Sequence, residues 1–560
     1  MTQSSVRGEG TRPDVRHARD LDWSHGGPQD DEASVEGDGP GRHDGTGGGR
    51  QNGRGRRGGR KHRVLRWSAT TLAVLILGTA AAGYLYYEHL NGNIRKGERS
   101  SGDSKAEKSQ PNAAGQTPLN ILLIGSDSRN SDADVALGGS RDNRGNPPLG
   151  DVEMLIHLAA DRKSAAVVSI PRDTRVDIPK CTDPKTGRVY PPVNTIINES
   201  LARGGAGCTL ATWENLTNVY IDHWMTIDFA GVVKMADAIG GVDVCVRQNV
   251  WDRPLPGVPG GSGMKMTAGT HKVQGVQALQ WLRTRHAWGS DLLRARAQHM
   301  YMNAMIRTLK SQNVFTDTGR LMDLADAATK SLQVSEEIGS VKKLYDLAMQ
   351  LKTVPTDRIT MTTMPNVEDP NNRDHVLPDG ANADKVWQMI RDDVSFDKKG
   401  TASETDAKQA ADKGAATTAP SVAADRLGVV VQNATRSSTE AAVHGRASTI
   451  SQALVQKGFS RAAADTSAAQ SATQTVVRYP SADLEGDALG VAKALGIPSS
   501  SVKRSTDVSG VTVLVGADWR TGTSYPKQSA PKAGDIPSNS DAINGSDTNQ
   551  CMDVYAPYRW

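Results

Sequence analysis

EMLIHLAADRKSAAVVSIPRD, residues Glu153–Asp173, is the stretch on which the fold turns. Two apolar runs, Glu153 to Ala160 and Ala165 to Ile170, flank the polar Asp161–Ser164, and short runs bounded by turn residues read as strands. Paired as a hairpin, they bring the exit Pro171-Arg172-Asp173 beside the entry at Asp151. Upstream, NILLIG at Asn120–Gly125 is a further strand, which carries Asp127 to the same edge if it runs antiparallel to its neighbour. That edge then gathers Asp127, Asp151, Arg172 and Asp173, with Arg175 close by in sequence.

Further on, the apolar spacing turns helical. Asp228 to Ile239, Gly275 to Leu282 and Asp291 to Leu309 show it, with Ser290 as an N-cap and Gly240-Gly241 as a C-cap. Asp317 to Leu332 and Val341 to Leu351 add helices, and Arg358 to Thr363 a strand. The fold class is therefore α/β (α+β), a domain over 118–393 with a central sheet flanked by helices. After a linker at 394–424 comes a small βαβαβ domain over 425–519. Its strands are Leu427 to Gln432, Thr475 to Tyr479 and Val511 to Val515. A polar tail is expected over 520–560.

WSATTLAVLILGTAAAGYLYY, Trp67–Tyr87, contains no charged residue, and about 21 residues at ~1.5 Å rise cross a ~30 Å hydrocarbon core. It reads as a transmembrane helix. Arginines and lysine from Arg54 to Arg66 precede it and Tyr84, Tyr86 and Tyr87 end it, so the positive-inside rule puts residues 1–66 in the cytoplasm and the rest outside. Residues 1–66, dominated by Gly, Arg and Asp, read as a disordered tail, and 88–117 as a flexible stalk. The net charge of +4 over 560 residues gives no general attraction to nucleic acid. A disulfide can persist outside the cell. Cys181 and Cys208 flank one irregular loop and are the first choice of pair, with Cys208–Cys245 the alternative and Cys551 the fourth cysteine.

Converging carboxylates suit a hard cation such as Mg²⁺, and arginines beside them suit phosphate oxygens, which the guanidinium fork grips in pairs. A second basic cluster follows: Arg283 and Arg285 before a loop, then Asp291, Arg294 and Gln298 at helical spacing. A solvated helix face would look similar. GVPGGSGMK at Gly257–Lys265 lacks the ending of a phosphate-binding P-loop and reads as a surface loop; His223, His271, His286 and His299 have no evident partners.

Several blocks resemble the LytR-CpsA-Psr family of cell-envelope proteins: NILLIGSDSR (Asn120–Arg129), VVSIPRDTRVDIP (Val167–Pro179), INESLARGG (Ile197–Gly205), Glu214–Val244 and GVQALQWLRTRHAWGSDLLRARAQ (Gly275–Gln298). The stretch 427–519 similarly looks like the C-terminal domain of some members. The resemblance implies a membrane-held phosphotransferase that moves a glycan phosphate from a polyprenyl diphosphate carrier to peptidoglycan, with Mg²⁺ as cofactor. Carried onto this sequence, it implies Asp127 and Asp151 as Mg²⁺ ligands. Arg172, Arg283, Arg285, Asp291 and Arg294 would be the catalytic set, and Arg129, Asp173, Asn198 and Gln298 the substrate contacts. Two departures stand out. Leu149-Gly150-Asp151 replaces the family's Arg-Ser-Asp, leaving Arg141 or Arg144 to substitute, and Ala297-Gln298 replaces Arg-Gln, with Arg296 one place early. The rival readings are a non-catalytic lipid-diphosphate scaffold and a transcriptional regulator. Only the short tail before Trp67 could reach DNA under this topology, and it has no helix-turn-helix pattern.

Overall fold

The computed structural model describes residues 59–127, 137, 147–312, 317–400, 420–436, 440–467, 471–526 and 531–560, apart from 105, 113, 473 and 506. The expected disordered tail lies almost wholly outside them, as does most of the linker. Helix α1 (Gly59–Asn93) starts in the first of two units, Met1–Ile76, and ends in the second, Leu77–Trp560. Its part Leu65–Asn93 is long and apolar enough to cross a membrane.

The second unit is organised by an eight-stranded mixed sheet. Its strands in chain order are β1 (Arg95–Gly97), β2 (Leu119–Ser126), β3 (Gly150–Leu158), β4 (Ala165–Ile170), β5 (His223–Ile227), β6 (Leu332–Ser335), β7 (Ile359–Thr363) and β8 (Ile543–Asn544). Across the sheet they run β1-β6-β5-β2-β3-β4-β7-β8. The β2–β3–β4 core is antiparallel, with Ile121 opposite Ile156 and Leu155 opposite Val168, as the hairpin reading requires.

Six helices matter for the two faces: α2 (Ala206–Thr217), α3 (Phe229–Ile239), α5 (Asp291–Ser311), α6 (Thr318–Ser331), α7 (Val341–Thr353) and α8 (Gly380–Arg391); a shorter one, α4 (Gly275–Arg283), precedes α5. The starts of α3, α5 and α7 are fixed by side-chain caps: Asp228 accepts from the Gly231 N–H, Ser290 from Leu293 and Ser340 from Lys343. One face of the sheet, carrying Leu122, Ile124, Leu155 and Val168, packs on α2 and α8 through Trp213 and Trp387, whose rings meet edge to face at 6.0 Å. The other, carrying Met154, Leu158 and Val167, faces Met302 and Ile306 of α5 and Leu351 of α7.

Two stretches depart from expectation. The supposed stalk 88–117 is laid along the domain, with Leu90 and Ile94 buried and β1 paired to β6. Arg99 pairs with the buried Glu214 at 2.8 Å and Lys108 with the buried Asp222 at 2.6 Å. The supposed polar tail contributes β8 and packs Ile543, Met552, Val554 and Tyr558 into the core around Trp281 and Trp288. Cys245–Cys551 ties it down, and Cys181–Cys208 forms as first expected. The second domain has a five-stranded sheet rather than three strands, because Ala462–Ala464 and Val502–Arg504 also pair.

Candidate functional site

The β2–β3 register slips at its end: Gly125 pairs with Val152 but Ser126 with Gly150, leaving Asp151 as the extra residue of a bulge. Bulges re-aim the side chain they insert, and Asp151 lines a cavity between the open sheet face and the helices. Gly150 has its own reason to lack a side chain: an added Cβ would come within 2.6 Å of Glu153 Oε1. Asp127 follows β2 directly; its backbone N–H donates to the Leu149 carbonyl at 3.1 Å and its Oδ1 accepts from the Leu149 N–H at 2.7 Å.

Arg172, at the exit of β4, is the hub. Its guanidinium lies 2.7 Å from Asp151, 3.4 Å from Asp173 and 4.0 Å from Asp291. Burial works against its charge, but the three carboxylates outweigh that and raise its pKa. Arg294, one turn along α5 from Asp291, pairs with it at 3.3 Å and is nearly buried; burial lowers its pKa. Burial and a hydrogen bond with Asp291 raise the pKa of Asp173. Burial alone would raise that of Asp291 too, but Arg294, Asp173 and Arg172 together lower it. The two neighbouring carboxyls are thus pushed in opposite directions, Asp173 up and Asp291 down.

Arg283, Arg285 and Gln298 line the same cavity. Arg283 stacks 4.6 Å over the Phe229 ring and donates to the Leu137 carbonyl at 2.9 Å; Gln298 donates to the Leu282 carbonyl at 3.1 Å. Asn198 is buried off the cavity wall, where its N–H donates to the Arg172 carbonyl at 3.3 Å. It supports the hub's backbone and is not among the residues that line the cavity. Arg175 pairs instead with Asp369 at 2.9 Å, and Arg296 is turned away to Asp541 and Gln550. Arg129, Arg141 and Arg144 lie outside the described residues.

The cavity, of about 780 Å³, gathers arginines and carboxylates at one end and is mainly apolar along the rest, where Leu123, Met154, Val167, Met302, Leu324 and Leu351 line it together with Lys310 and Lys352. Two residues to which the sequence assigned no role, His286 and Glu153, join the charged end or its support. His286 lines the cavity and receives an Arg285 N–H at 3.2 Å. Glu153, behind Asp151, accepts a 2.5 Å bond from the Trp213 indole, and burial pushes its pKa up to about 8. Neither has a local sequence signature.

Asp127 and Asp151 offer hard, acceptor-only oxygens at neighbouring strand ends. Among the described residues no cluster of three or more His, Cys, Asp or Glu could hold a metal ion. The pair fits Mg²⁺, which keeps waters and takes remaining oxygens from a phosphate, better than an ion needing an all-protein cage.

A model of the LytR_cpsA_psr family matches residues 84–392, and one described as "LytR cell envelope-related transcriptional attenuator" matches 426–519. The cell wall biosynthesis protein LcpA of Corynebacterium glutamicum is 29% identical over 327 residues, which cover 54% of this chain and 60% of LcpA. The Bacillus subtilis polyisoprenyl-teichoic acid–peptidoglycan teichoic acid transferase TagT is 23% identical over 306 residues, covering 54% of this chain and 87% of TagT. Of solved structures, B. subtilis TagV superposes with a TM-score of 0.38 at 23% identity, over 50% of this chain and 97% of that one.

Proposed function

The chain belongs to the LytR-CpsA-Psr family, and from that premise we propose that it is a membrane-anchored phosphotransferase acting outside the cytoplasm. It moves a glycopolymer phosphate from a polyprenyl diphosphate carrier to the muramic acid 6-hydroxyl of peptidoglycan. The observation that carries the reading is one cavity joining an apolar channel to an arginine and carboxylate cluster. A prenyl diphosphate has the same two parts in the same order. A relative named for transfer of teichoic acid from a polyisoprenyl carrier to peptidoglycan supports it.

In this account Arg172, Arg283, Arg285 and Arg294 hold the diphosphate oxygens, and their charge stabilises the oxygens on which negative charge accumulates. The acceptor hydroxyl oxygen forms a bond to the glycan-proximal phosphorus as that phosphorus releases the bridging oxygen. Polyprenyl phosphate leaves with the electron pair of the broken bond. The hydroxyl proton passes to Asp291, whose carboxylate lies beside Arg294 and Arg172, while Asp173 holds Asp291 and Arg172 in place. Asp127 and Asp151 would hold Mg²⁺, which when bound adds charge neutralisation at the diphosphate. Helix α1 keeps the site beside a donor confined to the bilayer.

The test is a transfer assay with the purified full chain in detergent, a polyprenyl diphosphate-linked glycan, Mg²⁺ and a peptidoglycan acceptor. A phosphodiester-linked product and released polyprenyl phosphate are expected, with loss on chelation and recovery on adding Mg²⁺. Binding of the donor without transfer overturns the proposal in favour of a scaffold.

A further inference from the structure

The last residues of the chain build a feature that the proposed reaction does not yet use. Trp251, Tyr555 and Trp560 are 38%, 55% and 51% exposed; Trp251 and Trp560 flank the Val250–Arg559 bridge, and Tyr555 stands five residues earlier on the same segment. Exposed rings scattered singly need no explanation; a cluster does. The chain beneath them is held firmly. The Trp560 indole donates to the Val250 carbonyl at 3.0 Å, Asn249 donates to the Trp560 carbonyl at 3.1 Å, and Cys551 is bonded to Cys245. Lys265 Nζ sits 4.6 Å from the centroids of both tryptophan rings, and the Arg253 guanidinium lies 4.8 Å over Trp251.

The ridge is continuous with the charged end of the cavity. Tyr555 lies 6.4 Å from Tyr558, which stacks at 6.1 Å on His286, a cavity-lining residue hydrogen-bonded to Arg285. We propose that this aromatic ridge is the docking surface for the acceptor glycan strand. The proposal rests on the transfer reading above and says which part of the molecule receives the second substrate.

Trp, Tyr, Lys and Arg also populate membrane interfaces, but the residues that end α1 contact other elements than the ridge. The end of α1 meets α6 and α7, through the Tyr86 hydroxyl donating to the Met322 carbonyl at 3.3 Å and Asn91 accepting from the Val341 N–H at 2.9 Å. Those two helices supply Leu324 and Leu351 to the apolar end of the cavity. The strand that follows α1 is one edge of the eight-stranded sheet, and β8, from which the ridge segment departs, is the other.

The donor already has two handles, its lipid and its diphosphate. The acceptor has neither and must be recognised by its sugars, whose C–H faces stack on aromatic rings, and by its carboxylates, which Lys265 and Arg253 complement. Rings fixed in advance lose little freedom on binding.

The experiment is co-sedimentation of the full chain in detergent with insoluble peptidoglycan sacculi, which needs no transfer and so separates failure here from failure of the transferase reading. Trp251→Ala with Tyr555→Ala is expected to weaken binding about tenfold, whereas Trp251→Phe with Tyr555→Phe keeps most of it. Lys265→Glu, on an exposed side chain, weakens binding without removing a ring. In the transfer assay the acceptor KM rises and the donor KM does not. Unchanged sedimentation of the alanine pair and of Lys265→Glu overturns the proposal, as does equal loss in the phenylalanine pair or a rise in donor KM alone.

Discussion

The two faces of the central sheet are made from alternate residues of the same strands, yet one is sealed and the other is open. On the sealed face Trp213 and Trp387 fill the space under α2 and α8. On the open face Leu123, Met154 and Val167 look into a cavity that α5, α6 and α7 roof without filling. Close packing is the norm in protein interiors and a large apolar void is costly. Stability is therefore concentrated on one side of the sheet and ligand binding on the other, with the charged strand ends between them.

Substitutions on the two faces should therefore fail in different ways. Trp213→Ala empties a filled site and strands the buried Glu153 carboxyl without its indole donor. A loss of about 4 to 5 kcal/mol is expected, read as the shift in denaturant midpoint. At the charged edge, Arg172→Ala should lower transfer about a thousandfold, or about 4 kcal/mol in the barrier, with a smaller change in stability than Trp213→Ala. If Arg172→Ala unfolds the protein as readily as Trp213→Ala, the division between the faces is wrong.

The smallest test lies on α5. His299 is fully buried, neither ring nitrogen has a hydrogen-bond partner among the described residues, and burial, with Arg296, pushes its pKa down to about 4. A depressed histidine contributes stability that is present above its unfolded pKa and lost as pH falls through the folded one. From pH 6.5 to about 4 the unfolded chain binds the extra proton and the native chain does not. His299→Leu should flatten the stability profile over that window relative to wild type, by about 3 kcal/mol at its acid end. Parallel profiles would show that the imidazole is hydrated or paired in solution.

Much of this was legible in the sequence, and the reasons differ by region. The β3–β4 hairpin announced itself through two apolar runs around a polar turn, and with it came Asp151, Arg172 and Asp173, because strand ends carry their flanking residues to a common edge. Asp291, Arg294 and Gln298 were legible from helical spacing. What escaped depends on distant partners. Leu90 and Ile94 are too few to mark 88–117 as packed, and the order of 531–560 depends on Cys245, which is 306 residues from Cys551. Asn198 lies in a family block, yet its place behind Arg172 follows from the fold. Arg296, read as a displaced family arginine, serves the C-terminal segment.

On this reading the open face holds a prenyl chain with its phosphates at the arginine end. Native mass spectrometry of the full chain in mild detergent, supplied with polyprenyl diphosphate, tests it directly when wild type is set beside Met302→Trp, which fills the apolar channel from α5. Wild type should carry one prenyl adduct and Met302→Trp little or none at an unchanged melting temperature. Equal adducts on both would place the lipid elsewhere and contradict the account.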